Sequence, residues 1–194
     1  MSDVDLAATK SALRKVVLAR RAAIPAELAA PRAEAAAERM LALIARFPVG
    51  AISAFRSFGD EIGTAILLEA LDAAGYGIGL PVVIGRGKPL IFRHWRPGDA
   101  MASGPYGIEQ PLATSPEIAP DILVVPMAAF DAQGYRVGYG GGFYDRSLAA
   151  LRARKPVVAI GLAYDEQEVE AVPRDAYDAR LDHLVTPTRT LTFG

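Results

Sequence analysis

The chain contains no cysteine. This excludes disulfide bonds, thiolate metal sites and a cysteine nucleophile, although it does not fix the compartment. Long apolar runs are also missing: none approaches the roughly 20 residues that cross a bilayer, and the first residues carry no signal-peptide core. Neither sign of charge is in excess. Lys and Arg total 21 against 22 Asp and Glu, a formal net charge of −1, so no global field points to nucleic acid or an anionic membrane as partner. Histidine is scarce, and neither His94 nor His183 has a second histidine at ligand spacing. A structural or surface role is favoured for both over catalysis, and no Ser-His-Asp arrangement can be argued. No internal repeat or low-complexity tail is visible, and the alanine-rich stretch 22–45 reads as helix rather than linker. With 194 residues, 52% of them hydrophobic, the expectation is a single domain over residues 1–194 with a sizeable core. The protein is expected to be soluble, cytoplasmic and monomeric.

Glycine, by contrast, is concentrated at one place. A short apolar run, Ile122-Leu123-Val124-Val125, is followed by Pro126, a connection, and Arg136-Val137-Gly138-Tyr139-Gly140-Gly141-Gly142-Phe143-Tyr144-Asp145-Arg146. Glycine reaches positive φ without a steric penalty, so four glycines in five positions can turn their N–H groups toward one point and form an anion nest. Asp145 to Leu151 reads as a helix start, which would add its first-turn N–H groups and dipole. Arg136 and Arg146 flank the loop, Tyr139, Phe143 and Tyr144 offer flat apolar faces, and Asp145 suits a magnesium ion accompanying a nucleotide. An ordinary tight turn is the competing reading; the paired arginines and the aspartate favour phosphate. Two standard nucleotide motifs are excluded. No Gly-Lys-Ser/Thr follows the glycines, and Phe143 stands where the dinucleotide fingerprint needs a small residue.

Along the chain, residues 3–23 have a helical pattern with Leu6, Leu13 and Val17 on one stripe and Lys10, Arg14 and Arg21 in a narrow arc beside it. Such cations either reach inward or lay their stems on the core with charges in water. A second helix is expected from Pro31, as a first-turn proline, to Arg46, broken by Phe47-Pro48-Val49-Gly50. Strand 51–55 leads through a polar loop to a helix from Glu61 or Thr64 to Ala74, with Asp60 as a candidate N-cap. Glu61 lies at a strand-to-helix junction, where ligand-binding residues of open α/β sheets collect; as residues alone, an acidic first-turn role is favoured. Strands are expected at 78–84 and 89–95, irregular structure able to close over a site at 98–120, a helix at 145–154, and strands at 157–162 and 184–186. The alternation indicates an α/β sandwich with a mainly parallel sheet.

Phe130-Asp131-Ala132-Gln133-Gly134-Tyr135-Arg136 and the glycine loop through Asp145 resemble the signature of the 5-formyltetrahydrofolate cyclo-ligases. Lys10 and Arg14 match that family's Lys-x-x-x-Arg element, Glu61 and Thr64 its Glu-x-x-Thr pair, Gly107 to Pro111 its Gly-Ile-x-Glu/Gln-Pro segment, Gln167 its glutamine, and Asp178 and Asp182 its C-terminal acidic element. The resemblance implies a three-layer domain related to sugar-phosphate isomerase and CoA-transferase folds. It also implies conversion of 5-formyltetrahydrofolate and ATP to 5,10-methenyltetrahydrofolate, ADP and phosphate. Lys10, Arg14 and Arg136 take catalytic roles in it. ATP is held by Lys10, Arg14, Arg136, Val137, Gly138, Tyr139, Gly140, Gly141, Gly142, Phe143 and Tyr144; folate by Arg14, Arg56, Glu61, Tyr139, Gly140, Gly141, Gly142 and Phe143; Mg2+ by Asp145 and Asp178. Three positions depart from the family. Arg56 replaces a usually uncharged residue, Gly141 stands where some members have lysine, and Phe143 where relatives often have tyrosine. Two alternatives stay open: a reduced-folate or nucleotide-binding protein without turnover, and a sugar-phosphate isomerase using a carboxylate base such as Glu61.

Overall fold

Ile122 to Val125 is buried on both faces, each side chain fully inaccessible to water, and the rest of the molecule is layered on those two faces. Ile122 and Val124 pack with residues of two helices on one side, and Leu123 and Val125 with a third helix on the other. A strand covered on both faces must be apolar at every position, which is why this run does not alternate. At about 1.5–3 kcal/mol per buried aliphatic side chain, these four residues are a principal anchor of the core.

The computed structural model describes residues 3–48 and 50–194. In chain order the elements are α1 (Asp3–Ala22), α2 (Ala26–Ile44), β1 (Ala51–Ser53), α3 (Ala65–Ala73), β2 (Gly77–Val82), β3 (Ile91–His94), β4 (Met101–Ser103), β5 (Glu109–Pro111), β6 (Ile122–Val125), β7 (Ala129–Phe130), β8 (Arg136–Val137), α4 (Phe143–Arg152), β9 (Val158–Leu162), β10 (His183–Val185) and β11 (Thr190–Thr192). Seven strands form one sheet in the order β11-β10-β9-β6-β1-β2-β3. The inner five run parallel, and the edge strands β3 and β11 pair antiparallel. Residues of α2 and α3 cover one face; Leu148 of α4 lies against the other. The mixed α/β architecture with a mainly parallel sheet is therefore as expected.

α1 stands apart from these layers. Its Val17, with Leu13 beside it, packs on Ala129, Val137 and Val172, so the helix is docked on the β7–β8 hairpin that leads into the glycine loop. This brings the basic arc of α1 against the loop.

Several local expectations are corrected. α2 begins at Ala26, directly after Pro25, and carries Pro31 in its interior; strong alanine propensity on both sides of Pro31 outweighs one lost hydrogen bond. Its break at Phe47-Pro48-Val49-Gly50 includes Val49, which lies outside the described residues. α3 starts at Ala65 and is preceded by Thr64, with no side-chain cap bond; neither Asp60 nor Glu61 belongs to its first turn, because both are drawn to α1 and the glycine loop. α4 starts at Phe143 rather than Asp145. The 98–120 segment is partly regular, since β4 and β5 pair within it.

Candidate active site

The parallel strands deliver their connecting loops to one end of the sheet, the position where open α/β folds bind ligands. The loops after β1, β2 and β8 there enclose a cleft of about 920 Å³. Phe55 and Phe58 follow β1, Leu80, Pro81 and Val83 belong to or follow β2, and the wall opposite is the glycine loop. Pro105, Ile108, Glu109 and Gln110 also line it, so the Gly107 to Pro111 segment has a place in the site.

The loop's shape depends on glycine at two positions. Gly140 has φ +95 and lies against the Arg14 guanidinium, where a Cβ would sit 3.6 Å from Nη2. Gly142 has φ +62 immediately before α4, and a Cβ there would be 2.7 Å from Arg146 Nη1. With no side chains in the way, the first turn of α4 presents its N–H groups to the cleft. Arg146 is held by the Gly141 carbonyl at 2.5 Å and lies over the Phe143 ring.

The cations expected to meet phosphate are themselves tethered. Arg136 is buried at 5% exposure; it donates to Asp145 Oδ1 at 2.7 Å and to the Ala179 carbonyl. Asp145 Oδ1 accepts the Ala179 N–H as well, at 3.1 Å. Arg14 Nε donates to the Gly138 carbonyl at 2.7 Å, bracing the loop from α1. Lys10 Nζ pairs with Asp178 Oδ2 at 2.5 Å and approaches Asp175 at 3.7 Å. The Lys-x-x-x-Arg spacing places both cations on one face of α1, one turn apart. They contact the loop and the 175–178 segment without lining the cleft.

The other wall holds Glu61. Its Oε2 accepts the Phe58 N–H at 2.9 Å and its Oε1 the Tyr139 hydroxyl. Burial lifts the Glu61 carboxyl above its ordinary value despite these bonds. Burial and the Glu61 charge push the Tyr139 phenol far above the usual tyrosine range, so it stays protonated. Burial likewise raises Tyr144. Tyr139 also accepts from Arg21 Nη1 at 2.7 Å, and Arg21 Nη2 pairs with Asp60 at 2.6 Å. Arg56 lines the cleft in an ion pair with Glu109, 2.8 Å apart and largely exposed.

Some matched positions turn out to be structural. Thr64, 1% exposed, accepts the Ser57 N–H at 3.0 Å and so staples the loop that carries Glu61. Gln167 is buried, accepting from the Tyr164 N–H and donating to the Met127 and Ala128 carbonyls. Arg21 and Asp60 are the members that sequence reasoning left out of the site. The signal was the placement of Arg21 in the same arc as Lys10 and Arg14.

Among the described residues, no three or more His, Asp or Glu side chains gather to hold a metal ion. Asp145 takes both its bonds at Oδ1, and Asp178 receives Lys10 and the Asp175 N–H at Oδ2. Each retains one carboxylate oxygen with no protein partner among the described residues. That donor set fits magnesium arriving with phosphate oxygens and water, which uses one or two carboxylates, better than a preformed cage.

A glycine-loop cradle and a partly exposed acid–phenol pair line one cleft of an α/β fold, the arrangement of a small-molecule enzyme. The profile of the 5-formyltetrahydrofolate cyclo-ligase family matches residues 6–187, and the chain belongs to that family. It is 33% identical over 176 residues to the 5-formyltetrahydrofolate cyclo-ligase of Escherichia coli K12, covering 88% of this chain and 96% of the relative. The Mycolicibacterium smegmatis enzyme of the same name is 30% identical, with 93% and 95% covered. The solved structure of Aquifex aeolicus 5,10-methenyltetrahydrofolate synthetase superposes with a TM-score of 0.79 at 28% identity, covering 94% of this chain and 92% of that one. The corresponding Mycoplasma pneumoniae structure, at 22% identity and TM-score 0.74, shares the fold.

Proposed function

We propose that this cleft performs the family's reaction, closing 5-formyltetrahydrofolate to 5,10-methenyltetrahydrofolate with conversion of ATP to ADP and phosphate. The observation that carries the reading is the meeting, in one cleft, of the Gly138–Gly142 cradle at the N-terminus of α4 with the Glu61–Tyr139 pair. A folate-binding protein without turnover would not need the first, and a sugar-phosphate isomerase would not need the tethered arginines of α1 behind the loop.

A formamide oxygen leaves poorly and its carbon is a weak electrophile. In the proposed path the formyl oxygen attacks the γ-phosphorus and ADP departs. N10 then attacks the activated carbon, losing its proton, and phosphate leaves as the ring closes. Phosphoryl transfer of this kind depends on in-line placement and on neutralising charge. The loop amides and α4 dipole receive the phosphates. Arg136 lies at the same place with its charge already directed by Asp145, while Lys10 and Arg14 hold the loop and the 175–178 segment together. Magnesium, when bound through Asp145 and Asp178, supplies further charge neutralisation. Glu61 receives N–H donors of the folate head group, and Tyr139 and Phe143 form the wall on which it stacks. Arg56 faces the cleft mouth. The layering of helices on both sheet faces supports the relation to sugar-phosphate isomerase and CoA-transferase folds.

The test is direct. Purified protein mixed with 5-formyltetrahydrofolate and Mg-ATP is expected to develop the near-ultraviolet absorbance of the methenyl product, with no change when ATP is omitted. A flat trace with measurable folate binding would replace this reading with the binding-protein one.

A further inference from the structure

Arg21 is as enclosed as Arg136 on the cleft wall, each 5% exposed, and it enters from the last turn of α1. A buried guanidinium is costly unless its donors are met. Here one terminal nitrogen meets the Asp60 carboxylate and the other the Tyr139 hydroxyl, while Nε has no partner among the described residues. The guanidinium carbon also lies 5.8 Å from the Tyr139 ring centroid.

The direction of these bonds matters. Arginine only donates, and a phenol has one proton to give. With a lone pair of Tyr139 taken by Arg21, its proton goes to Glu61 Oε1, the nearer and charged acceptor, rather than to the Met127 carbonyl at 3.4 Å. The second Glu61 oxygen accepts a backbone N–H. Both oxygens are therefore acceptors, which is the pattern of a carboxylate and not of a carboxylic acid. The groups facing Glu61 are Arg21 from α1, Asp60 and the Phe58 N–H from its own loop, Tyr139 from the glycine loop and Tyr144 from α4. Only Arg21 among them is a cation, and it opposes the cost of burying the charge.

We propose that Arg21 is a positioning residue for the folate side of the cleft: by donating to the Tyr139 hydroxyl it directs the phenolic proton onto Glu61 and holds Glu61 as an oriented carboxylate. The inference rests on Glu61 being the folate-binding acid. Lysine cannot replace it, because a single ammonium does not present the two-sided fork that spans Tyr139 and Asp60.

The full chain serves for the test, with KM measured separately for 5-formyltetrahydrofolate and Mg-ATP. Arg21→Met and Arg21→Lys are each expected to raise the folate KM about tenfold, the scale of one charge-assisted hydrogen bond, and to leave the ATP KM within about twofold. Tyr139→Phe should match them, and the double variant Arg21→Met/Tyr139→Phe should be no worse than either single change, because both act through one hydroxyl. The acid limb of kcat/KM for folate should move to higher pH in Arg21→Met. Multiplying effects in the double variant, or equal rises in both KM values, would overturn the proposal. If Arg21→Met does not fold, Tyr139→Phe alone must move the acid limb in the same direction, and an unmoved limb refutes the idea. Glu61→Gln separates the two levels. If it leaves the folate KM unchanged, the assignment of Glu61 fails; if it raises the KM while Arg21→Lys does not, only the role of Arg21 fails.

Discussion

Asp145→Asn is the cleanest probe of the phosphate and metal side, because asparagine keeps the geometry and removes only the charge. Its Oδ1 can still accept from Arg136, now at 2.7 Å, and from the Ala179 N–H, now at 3.1 Å. What changes is an ion pair becoming a hydrogen bond from a cation to a neutral amide, a loss of about 1 kcal/mol. For a chain of this size that corresponds to a fall in Tm of about 2–4 °C. The functional loss should be larger. Arg136, with its side chain only 3% exposed, loses the carboxylate that fixes it, and the proposed magnesium-phosphate complex loses a charged oxygen ligand. Removing one preorganised electrostatic stabiliser typically costs a factor of about 10²–10³ in kcat. The methenyl absorbance assay gives kcat and the Mg-ATP KM, and a thermal melt gives the stability. A variant with near-normal turnover would remove Asp145 from the site. A variant that has lost activity only in proportion to unfolded protein would reduce Asp145 to a structural partner of Arg136.

Because burial raises Glu61 above the ordinary glutamate value, the carboxylate proposed to receive folate is lost, as pH falls, at a pH above the ordinary glutamate range. The acid limb of kcat/KM for folate should lie there, and Glu61→Gln should flatten it. The same shift makes the native state bind more protons than the unfolded chain, so this group's contribution to stability is present below pH 4.5 and is lost as pH rises through the raised native value; melts of wild type and Glu61→Gln across that window should diverge. Gly142→Ala places a side chain at φ +62 and its Cβ 2.7 Å from Arg146 Nη1. Forcing a left-handed residue costs about 1–2 kcal/mol, so Tm should fall by about 2–8 °C and the Mg-ATP KM should rise more than the folate KM. Arg56 and Glu109 form an exposed pair worth at most about 1 kcal/mol. Glu109→Gln should therefore leave Tm nearly unchanged but lower the folate KM by freeing Arg56, whereas Arg56→Met should raise it; a change confined to the ATP KM would contradict the placement of Arg56.

Much of this protein was legible in the order of its residues. The unbroken apolar run Ile122 to Val125 marks a strand buried on both faces, the alternation of strand and helix marks the parallel sheet, and the glycines before Phe143 mark a backbone cradle. These are local properties: period, side-chain size and permitted φ are carried by neighbouring residues. The start of α2 was misplaced because Pro31 suited a first-turn position, although Pro25 stood at the true boundary and alanines supported helix on both sides. What no local rule could supply was partnership across the chain. Arg136 is tied to Asp145 and the Ala179 carbonyl, Lys10 to Asp178, and Arg21 to both Asp60 and Tyr139. A cation on a helix flank reads the same whether its head lies in water or against a carboxylate far along the sequence. By itself the sequence determined the family, the sheet and the loop. Only the docking of α1 onto the β7–β8 hairpin decided which charges face the cleft and which are already spent on one another, because a desolvated charge takes its energy from the partner that folding brings to it.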